Sequence, residues 1–213
     1  MKIATATFVK SATTPAHYPA PCLPEVAFAG RSNVGKSSLI NCLLQKKGLA
    51  KTSHTPGRTR LLNFYLVNDA WLFVDLPGYG YARASEEIQR QWGPMVETYL
   101  RRRDNLRLVL LILDIRRDPE ERDLNFLAWL KEHGIHVTLV ITKADKLSRS
   151  GALARKRLIE HQCGMPTGAV LFSALTAQGR LDILTTIQLA AQVAGHCLQR
   201  TATAHVLAKT GRA

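Results

Sequence analysis

Residues 30–37 read GRSNVGKS, and the types and spacing in this stretch are those of a loop that binds phosphate groups. Gly30 and Gly35 allow the backbone to turn tightly, so that successive amide hydrogens point inward at phosphate oxygens. The Lys36 ammonium adds a point charge for the β- and γ-phosphates, and the Ser37 hydroxyl is a ligand for Mg²⁺. A strand is predicted just before this loop and a helix just after it, which is the context that phosphate binding requires.

A second group of residues distinguishes guanine from adenine. TKAD (142–145) ends a predicted strand and places the Asp145 carboxylate to accept two hydrogen bonds from guanine N1 and N2. Adenine lacks that donor pair, and a buried carboxylate without partners makes the mismatch costly. The Lys143 stem can lie over the base, and the Ala174 amide in SAL (173–175) can support the guanine oxygen. Each short motif alone is also compatible with a solvated turn, but in chain order they predict a guanine-nucleotide site.

Two further segments are candidates for contacts with Mg²⁺ and the γ-phosphate. DLPG (75–78) closes another predicted strand, where Asp75 is the expected partner of Mg²⁺ through water and the Gly78 amide can meet the γ-phosphate. In TPGRTR (55–60), Thr59 would complete the metal shell when triphosphate is bound and be released after hydrolysis. The alternative for TPGRTR is an ordinary Pro-Gly turn before a strand, and both interpretations stay open.

Apolar runs of strand length alternate with segments of helical period, and this alternation predicts an α/β fold. Asn68 and Asp69 separate two of the runs by a turn, so that pair should form an antiparallel hairpin. We predict a P-loop NTPase fold like the G domain of small GTPases, with a six-stranded, mostly parallel sheet, one antiparallel strand and helices on both faces. The predicted strands are 25–29, 61–67, 70–75, 106–115, 136–142 and 169–174, and the predicted helices are 36–47, 85–103, 119–133, 148–162 and 180–198.

The length of 213 residues, with 46% hydrophobic residues, predicts one domain with short appendages. Residues 1–24 contain four prolines and are predicted to be an extended lead-in, followed by the G domain over 25–198. Residues 199–213 are predicted to be a basic, mobile tail. Gly93 and Pro94 should kink the 85–103 helix or divide it into two short helices, because proline has no amide hydrogen.

The chain carries a formal net charge of +13, and the excess is clustered in stretches such as KKGLAKTSHTPGRTR (46–60). This charge predicts a polyanionic partner, and the alternative is a generally basic, soluble surface. Four separated cysteines without C-x-x-C spacing fit a reduced cytosolic setting. The longest apolar run, 108–113, is too short to span a bilayer, and no signal peptide is expected, so we predict a cytoplasmic protein without membrane contact. No heptad pattern favours a dimer, and a monomer is expected.

Five stretches together resemble the EngB family, also called YihA or YsxC, whose members are bacterial GTPases similar to the Era and EngA branch of the P-loop class. The stretches are LPEVAFAGRSNVGKSSLIN (23–41), TPGRTRLLNFY (55–65), DLPGYGYA (75–82), WGP (92–94) and TKADKL (142–147). The resemblance runs from about Val9 to Val193 and includes the order and spacing of the motifs.

The resemblance implies a GTPase that binds GTP, GDP and Mg²⁺ and assists assembly of the large ribosomal subunit through rRNA and ribosomal proteins. The family is also associated with normal cell division and septation. Catalytic roles are implied for Lys36 and Thr59, and Mg²⁺ is placed on Ser37 and Thr59. Arg60 stands where many relatives have Gln. The implied GTP contacts are Gly30, Arg31, Ser32, Asn33, Val34, Gly35, Lys36, Ser37, Gly57, Arg58, Thr59, Arg60, Leu61, Asp75, Leu76, Pro77, Gly78, Thr142, Lys143, Ala144, Asp145, Ser173, Ala174 and Leu175.

Tyr79 stands where small GTPases usually have a Gln that positions water, and an aromatic side chain cannot hold that water as an amide does. The resemblance suggests K⁺ instead, because several relatives hold this ion with a P-loop Asn and carbonyl oxygens of the first switch. Asn33 stands at the matching place and is the candidate K⁺ ligand and catalytic residue. The alternatives are that Asn33 is a plain turn residue and that Tyr79 packs against a neighbouring strand, and these stay open.

Two other functions are open at this point. The first is a division factor that acts on protein partners while GTP gates exposure of a binding surface. This interpretation does not explain the net charge of +13. The second is a metabolic phosphotransferase that uses the same loop, which would need an acceptor site and a lid. TKAD and DLPG favour a switch over the phosphotransferase.

Overall fold

A computed structural model describes residues 1–50, 61–79, 86–165, 167–190 and 192. Predictions for residues 55–60 and for the tail over 199–213 therefore lie outside the described residues. The elements in chain order are β1 (Ala6–Ala12), β2 (Glu25–Gly30), α1 (Lys36–Leu44), β3 (Leu62–Val67), β4 (Trp71–Asp75), α2 (Glu86–Arg102), β5 (Leu106–Asp114), α3 (Glu121–Glu132), β6 (Val137–Thr142), α4 (Arg149–Gln162) and β7 (Val170–Leu171). A further helix, α5, covers residues 180–190 of the described part of the chain.

The sheet has the strand order β1-β3-β4-β2-β5-β6-β7. β3 is antiparallel to both of its neighbours, and the other pairs are parallel. The prediction of a mostly parallel sheet with one antiparallel strand is therefore confirmed. Asn68 and Asp69 both have positive φ, 52° and 50°, and together with Ala70 they form the turn between Val67 and Trp71 that joins β3 to β4 in a hairpin.

The predicted number of six strands is wrong, because the described residues form seven. The additional strand is β1, which lies within the segment predicted to be an extended lead-in and pairs with β3 at the edge of the sheet. Its large apolar side chains, Phe8 and Val9, are 50% and 42% exposed, so β1 lacks the apolar pattern of a buried strand. The Asn68 side chain also fixes the preceding segment, because its Oδ1 accepts hydrogen bonds from the amides of Ala4 and Thr5 at 2.7 and 3.0 Å.

Helices cover both faces of the sheet, as predicted. Alternate residues of β2 point to opposite faces, with Val26 and Phe28 in one apolar cluster and Ala27 and Ala29 in the other. Helices α1 and α5 pack on the first face, and α2, α3 and α4 pack on the second. In the described part of the chain, no helix has the length and apolar character needed to cross a bilayer.

Helix α2 is one helix that continues through Pro94, so of the two predicted alternatives, a kink or a division into two short helices, the division is wrong. Proline removes one helical hydrogen bond, but Val96, Tyr99 and Leu100 on the following turns are buried against the sheet. This packing stabilises the helix against the break. Helix α1 ends at Leu44, earlier than predicted, because Gln45 takes a left-handed φ of 53° and its amide caps the last turn.

Candidate functional site

The carboxyl ends of neighbouring strands meet at one edge of the sheet and bring the predicted motifs together. Phe28 of β2 pairs with Asp75, the last residue of β4, and Gly30 pairs with Ile112 of β5. Asp114, the last residue of β5, pairs with Thr142, the last residue of β6. In an open parallel sheet this edge is where ligands bind.

The loop between β2 and α1 depends on small residues and left-handed backbone. A Cβ on Gly30 would lie 2.7 Å from the Ile112 carbonyl oxygen, so no side chain fits there. Asn33 and Gly35 have φ of 66° and 103°, and Gly35 directly precedes the first residue of α1. The Thr142 hydroxyl contacts the Val34 carbonyl oxygen, which fixes the loop to the end of β6. The loop is therefore shaped by its own backbone and by the neighbouring strands.

Lys36 and Asp75 form a buried ion pair at the base of the loop, in which Nζ donates to Oδ1. The two residues are 8% and 3% exposed. The pair joins the expected phosphate ligand to the expected acidic partner of Mg²⁺. Ser37 is the second residue of α1 and lies beside this pair in the chain. Carboxylate and hydroxyl oxygens are hard ligands of the kind that Mg²⁺ prefers, so the donor set of Ser37 and Asp75 fits this ion.

Ser173 holds the Asp145 carboxylate of the TKAD motif. The Ser173 hydroxyl donates to Asp145 Oδ1 at 2.6 Å, and this hydrogen bond is the main cause that lowers the pKa of Asp145 below its ordinary value. The same hydroxyl accepts hydrogen bonds from the amides of Leu175 and Thr176 at 3.2 and 3.3 Å. One serine thus orders the turn that contains Ala174 and keeps Asp145 ready to accept hydrogen bonds.

Lys143 connects the TKAD motif to the phosphate loop. Its backbone has a left-handed φ of 60°, and its Nζ donates to the Asn33 carbonyl oxygen and to Asp114 Oδ2, both at 2.8 Å. The Ala144 amide donates to the Phe172 carbonyl oxygen at 3.1 Å. The base motif and the phosphate loop therefore form one connected unit.

Tyr79 packs against helix α3, with its side chain buried. Its hydroxyl donates to Asp123 Oδ1 at 2.7 Å, and its ring centroid lies 5.7 Å from that of Phe126. Burial raises the pKa of Tyr79, and the nearby Asp123 charge and hydrogen bond raise it further. The hydroxyl is therefore a protonated donor engaged by Asp123. Of the two interpretations, the packing interpretation agrees with this geometry, and the Asp123 and Phe126 contacts add helix α3 as a packing partner.

The structure identifies Asp114 as a site residue that the sequence analysis missed. Burial raises its pKa, but hydrogen bonds from Arg116 and Lys143 outweigh burial and hold the pKa of this carboxyl well below its ordinary value. The available signal was its position, because Asp114 ends a predicted strand at the same edge as Asp75. Glu120 and Asp123, which the sequence analysis did not name, also contact site segments.

The structure brings most of the predicted site residues to this one edge, namely those at 30–37, 75–78, 142–145 and 173–175. Gly57, Arg58, Thr59 and Arg60 lie outside the described residues, and Leu61 is partly exposed just before β3. The side chains of Val34 and Leu76 are buried in the core, so only their backbones can contact a ligand. The Arg31 side chain is paired with Glu120.

A phosphate loop joined in this way to a guanine motif defines the G domain of the P-loop GTPases. The family model described as "50S ribosome-binding GTPase" matches residues 25–143. A protein of Syntrophus aciditrophicus (strain SB) named "Probable GTP-binding protein EngB" is 57% identical over 188 residues, which are 88% of this chain and 96% of that protein. The chain belongs to the EngB family, and it is a GTPase.

Solved structures agree with this fold. A crystal structure of a probable GTP-binding protein EngB superposes with a TM-score of 0.68 at 22% identity, over 79% of this chain and 98% of that one. A crystal structure of Era in complex with MgGDPNP and nucleotides 1506–1542 of 16S ribosomal RNA has a TM-score of 0.64 at 26% identity. That match covers 78% of this chain and 55% of the Era chain.

Proposed function

We propose that this chain is a GTP-hydrolysing switch that assists assembly of the large ribosomal subunit. The observation that carries the proposal is the Asp145 carboxylate, held by Ser173 and connected through Lys143 to the phosphate loop. This arrangement matches a guanine base at one end of the site and phosphates at the other. The description of the matched family as a 50S ribosome-binding GTPase supports the choice of partner.

In this proposal the chain's own residues divide the work of binding. The loop amides over 30–37 and the Lys36 ammonium bind the β- and γ-phosphates, and Asp145 accepts from guanine N1 and N2. Ser37 and Thr59 are the proposed ligands of Mg²⁺, with Asp75 contacting it through water. When bound, Mg²⁺ neutralises charge on the phosphate oxygens. The remaining proposed GTP contacts are those that the family resemblance implies.

The proposed switch between two forms of the protein depends on the γ-phosphate, which GTP carries and GDP lacks. Gly78 is expected to contact this group, and Thr59 to complete the metal shell, only in the GTP form, so the segment that contains Thr59 would be ordered by GTP and released after hydrolysis. A net charge of +13 supports docking of the GTP form on rRNA. The family association with cell division fits the same role, since a shortage of ribosomes slows division.

We include K⁺ in the proposal, with Asn33 as its ligand. The Tyr79 hydroxyl is engaged by Asp123 and leaves water positioning to other groups. Asn33 is exposed in the phosphate loop, and its amide oxygen is a hard ligand of the kind that K⁺ takes. The left-handed φ of Asn33 equally fits a turn residue.

GTP turnover should be faster in K⁺ than in matched Na⁺ buffer, and Asn33→Ala should abolish the difference. Equal turnover in the two buffers, with the variant unchanged, would remove K⁺ from the mechanism.

The test of the proposed function is co-sedimentation with purified large ribosomal subunits in the presence of a non-hydrolysable GTP analogue, GDP or no nucleotide. We expect the analogue to give the strongest binding and small subunits, the matched control, to give little. Equal absence of binding in all three states would contradict a ribosomal role and favour the division factor that acts through protein partners.

A further inference from the structure

The first turn of helix α3 contacts both the phosphate loop and the residue that follows DLPG. Glu120 caps the helix and is paired with Arg31, the second residue of the phosphate loop. Asp123, one turn later, is buried and uses both of its carboxylate oxygens. Oδ1 accepts from the Tyr79 hydroxyl at 2.7 Å, and Oδ2 accepts from the Glu120 amide at 2.9 Å. One turn of helix therefore holds two separate segments of the nucleotide site.

The backbone of Tyr79 is held as well as its side chain. The Ser32 amide donates to the Tyr79 carbonyl oxygen at 3.1 Å, and Arg31 and Tyr79 form a parallel bridge. Gly78 lies directly against the phosphate loop, since a Cβ on it would be 3.1 Å from both the amide nitrogen and the hydroxyl of Ser32. The position of the Gly78 amide is thus determined between the loop on one side and Tyr79 on the other.

We propose that Tyr79 and Asp123 form a latch by which α3 positions the Gly78 amide for the γ-phosphate, so that Asp123 is a positioning residue for GTP hydrolysis. This inference rests on the proposed function. Gly78 is one residue from Tyr79, a Cα–Cα separation of about 3.8 Å, so a shift of the tyrosine moves the amide. A misplacement of about 1 Å can lower a rate on the order of 100-fold.

The latch should affect the ratio of the affinity for a GTP analogue to the affinity for GDP, whereas a purely structural contact should not. Only GTP carries the γ-phosphate, so the Gly78 contact contributes to binding of GTP and not of GDP. Loosening the latch therefore lowers the affinity for a GTP analogue relative to the affinity for GDP. A contact that only stabilises the fold lowers the melting temperature and leaves this ratio unchanged.

Tyr99→Phe provides a matched control for Tyr79→Phe. The Tyr99 hydroxyl also donates at 2.7 Å to a buried carboxylate, Glu25 Oε2. Glu25 is the first residue of β2, so this contact lies at the opposite end of the strand from the phosphate loop. Each substitution removes one buried hydroxyl from one carboxylate. Both should lower the melting temperature, and the two variants differ in their distance from the nucleotide.

The experiment measures affinities for a non-hydrolysable GTP analogue and for GDP, together with single-turnover hydrolysis, in the wild-type chain and both variants. We expect Tyr79→Phe to lower the ratio of analogue affinity to GDP affinity by about fivefold or more, and to slow hydrolysis, while Tyr99→Phe changes neither. If Tyr79→Phe does not fold, Asp123→Asn weakens the same hydrogen bond by removing its charge and should shift the ratio in the same direction by less.

A wild-type affinity ratio and hydrolysis rate in a folded Tyr79→Phe variant would overturn the latch, and so would equal losses in Tyr79→Phe and Tyr99→Phe. Failure of the wild-type chain to bind the GTP analogue would overturn the proposed function and, with it, the latch. The two failures are distinct, because the first is read from the variants and the second from the wild type alone.

Discussion

At the scale of single residues, three carboxylates at the nucleotide edge each have a hydrogen-bond donor. Asp75 contacts Lys36, Asp145 contacts Ser173, and Asp114 contacts Arg116 and Lys143. A buried carboxylate without a donor would be strongly unfavourable, so these donors offset the cost of burying Asp75 and Asp114.

Asp145→Asn should weaken binding of GTP and GDP by the same factor, because the base is common to both nucleotides. Two hydrogen bonds to a charged acceptor are lost or reversed, which corresponds to roughly 100-fold in affinity. Isothermal titration with each nucleotide checks the prediction. Asp182→Asn, an exposed position on α5, is the control and should stay within about twofold. An unchanged GDP affinity in Asp145→Asn would contradict the assigned role in base recognition.

Asp114 should make stability depend on pH in the acidic range. Its folded-state pKa lies below the ordinary value of 3.8, so its contribution is complete above that value and is lost as pH falls from there through the folded-state pKa. Asp114→Asn should therefore have a lower melting temperature than wild type at pH 7, and the difference should shrink below about pH 4. A difference that stays constant across the acidic range would show that the Asp114 charge makes no contribution.

The sequence was sufficient for residues whose chemistry is local. Lys36 belongs to the motif GRSNVGKS and Asp145 to the motif TKAD, so the spacing of residues within each short motif was enough to predict their roles. Tyr79 and Asp123 are 44 positions apart in the sequence, and no local sequence pattern predicts that their side chains form a hydrogen bond. Asp123 also lies in the first turn of α3, where the helix dipole favours an acidic residue, so its place in the sequence does not by itself indicate a role at the site.

At the scale of elements, a buried network ties β2 to α2 at the end of the sheet away from the nucleotide. Glu25 is fully buried at the start of β2, and Arg103, just after α2, donates to both of its carboxylate oxygens. Arg103 also donates to the Pro19 carbonyl oxygen at 3.1 Å and lies over the Tyr18 ring. The same guanidinium thus holds the chain that leads into β2.

Arg103→Met should lower the free energy of unfolding by about 3–5 kcal/mol, because it leaves the Glu25 carboxylate buried without its cation. Urea denaturation measures this change. Arg102→Met is the matched control on the last residue of α2, where the side chain is exposed and the expected change is within about 0.5 kcal/mol. Similar losses in the two variants would contradict the assignment of the stabilisation to the buried pair.

Elements with a strong apolar core were predictable, and those held by other interactions were not. The run over 106–115 became β5, whose residues from Leu108 to Asp114 are all buried. β1 was missed because it lies at the edge of the sheet formed by the described residues and exposes its central side chains. The sequence left open whether the helix continues across Pro94, because local rules describe the missing hydrogen bond but not the burial of Tyr99 and its neighbours.

At the scale of the whole molecule, the positive charge predicts salt-dependent binding to large ribosomal subunits. If as few as two or three phosphates are contacted, affinity should fall by about tenfold or more between roughly 50 and 200 mM KCl. Co-sedimentation with the GTP analogue across this range tests it, and the affinity for the analogue alone, measured in parallel, is the control. A flat salt dependence would argue against contact with rRNA.

The pairing of β1 with β3 sets an order on folding during synthesis. Ala6 pairs with Val67 and Ala12 with Leu62, so β1 is made long before β3, the strand beside it in the described sheet, exists. At about 5–20 residues per second, the strand waits roughly 3–12 s for β3. A strongly apolar strand exposed for that time would invite aggregation. The weak apolar pattern that makes β1 difficult to predict therefore also protects the nascent chain.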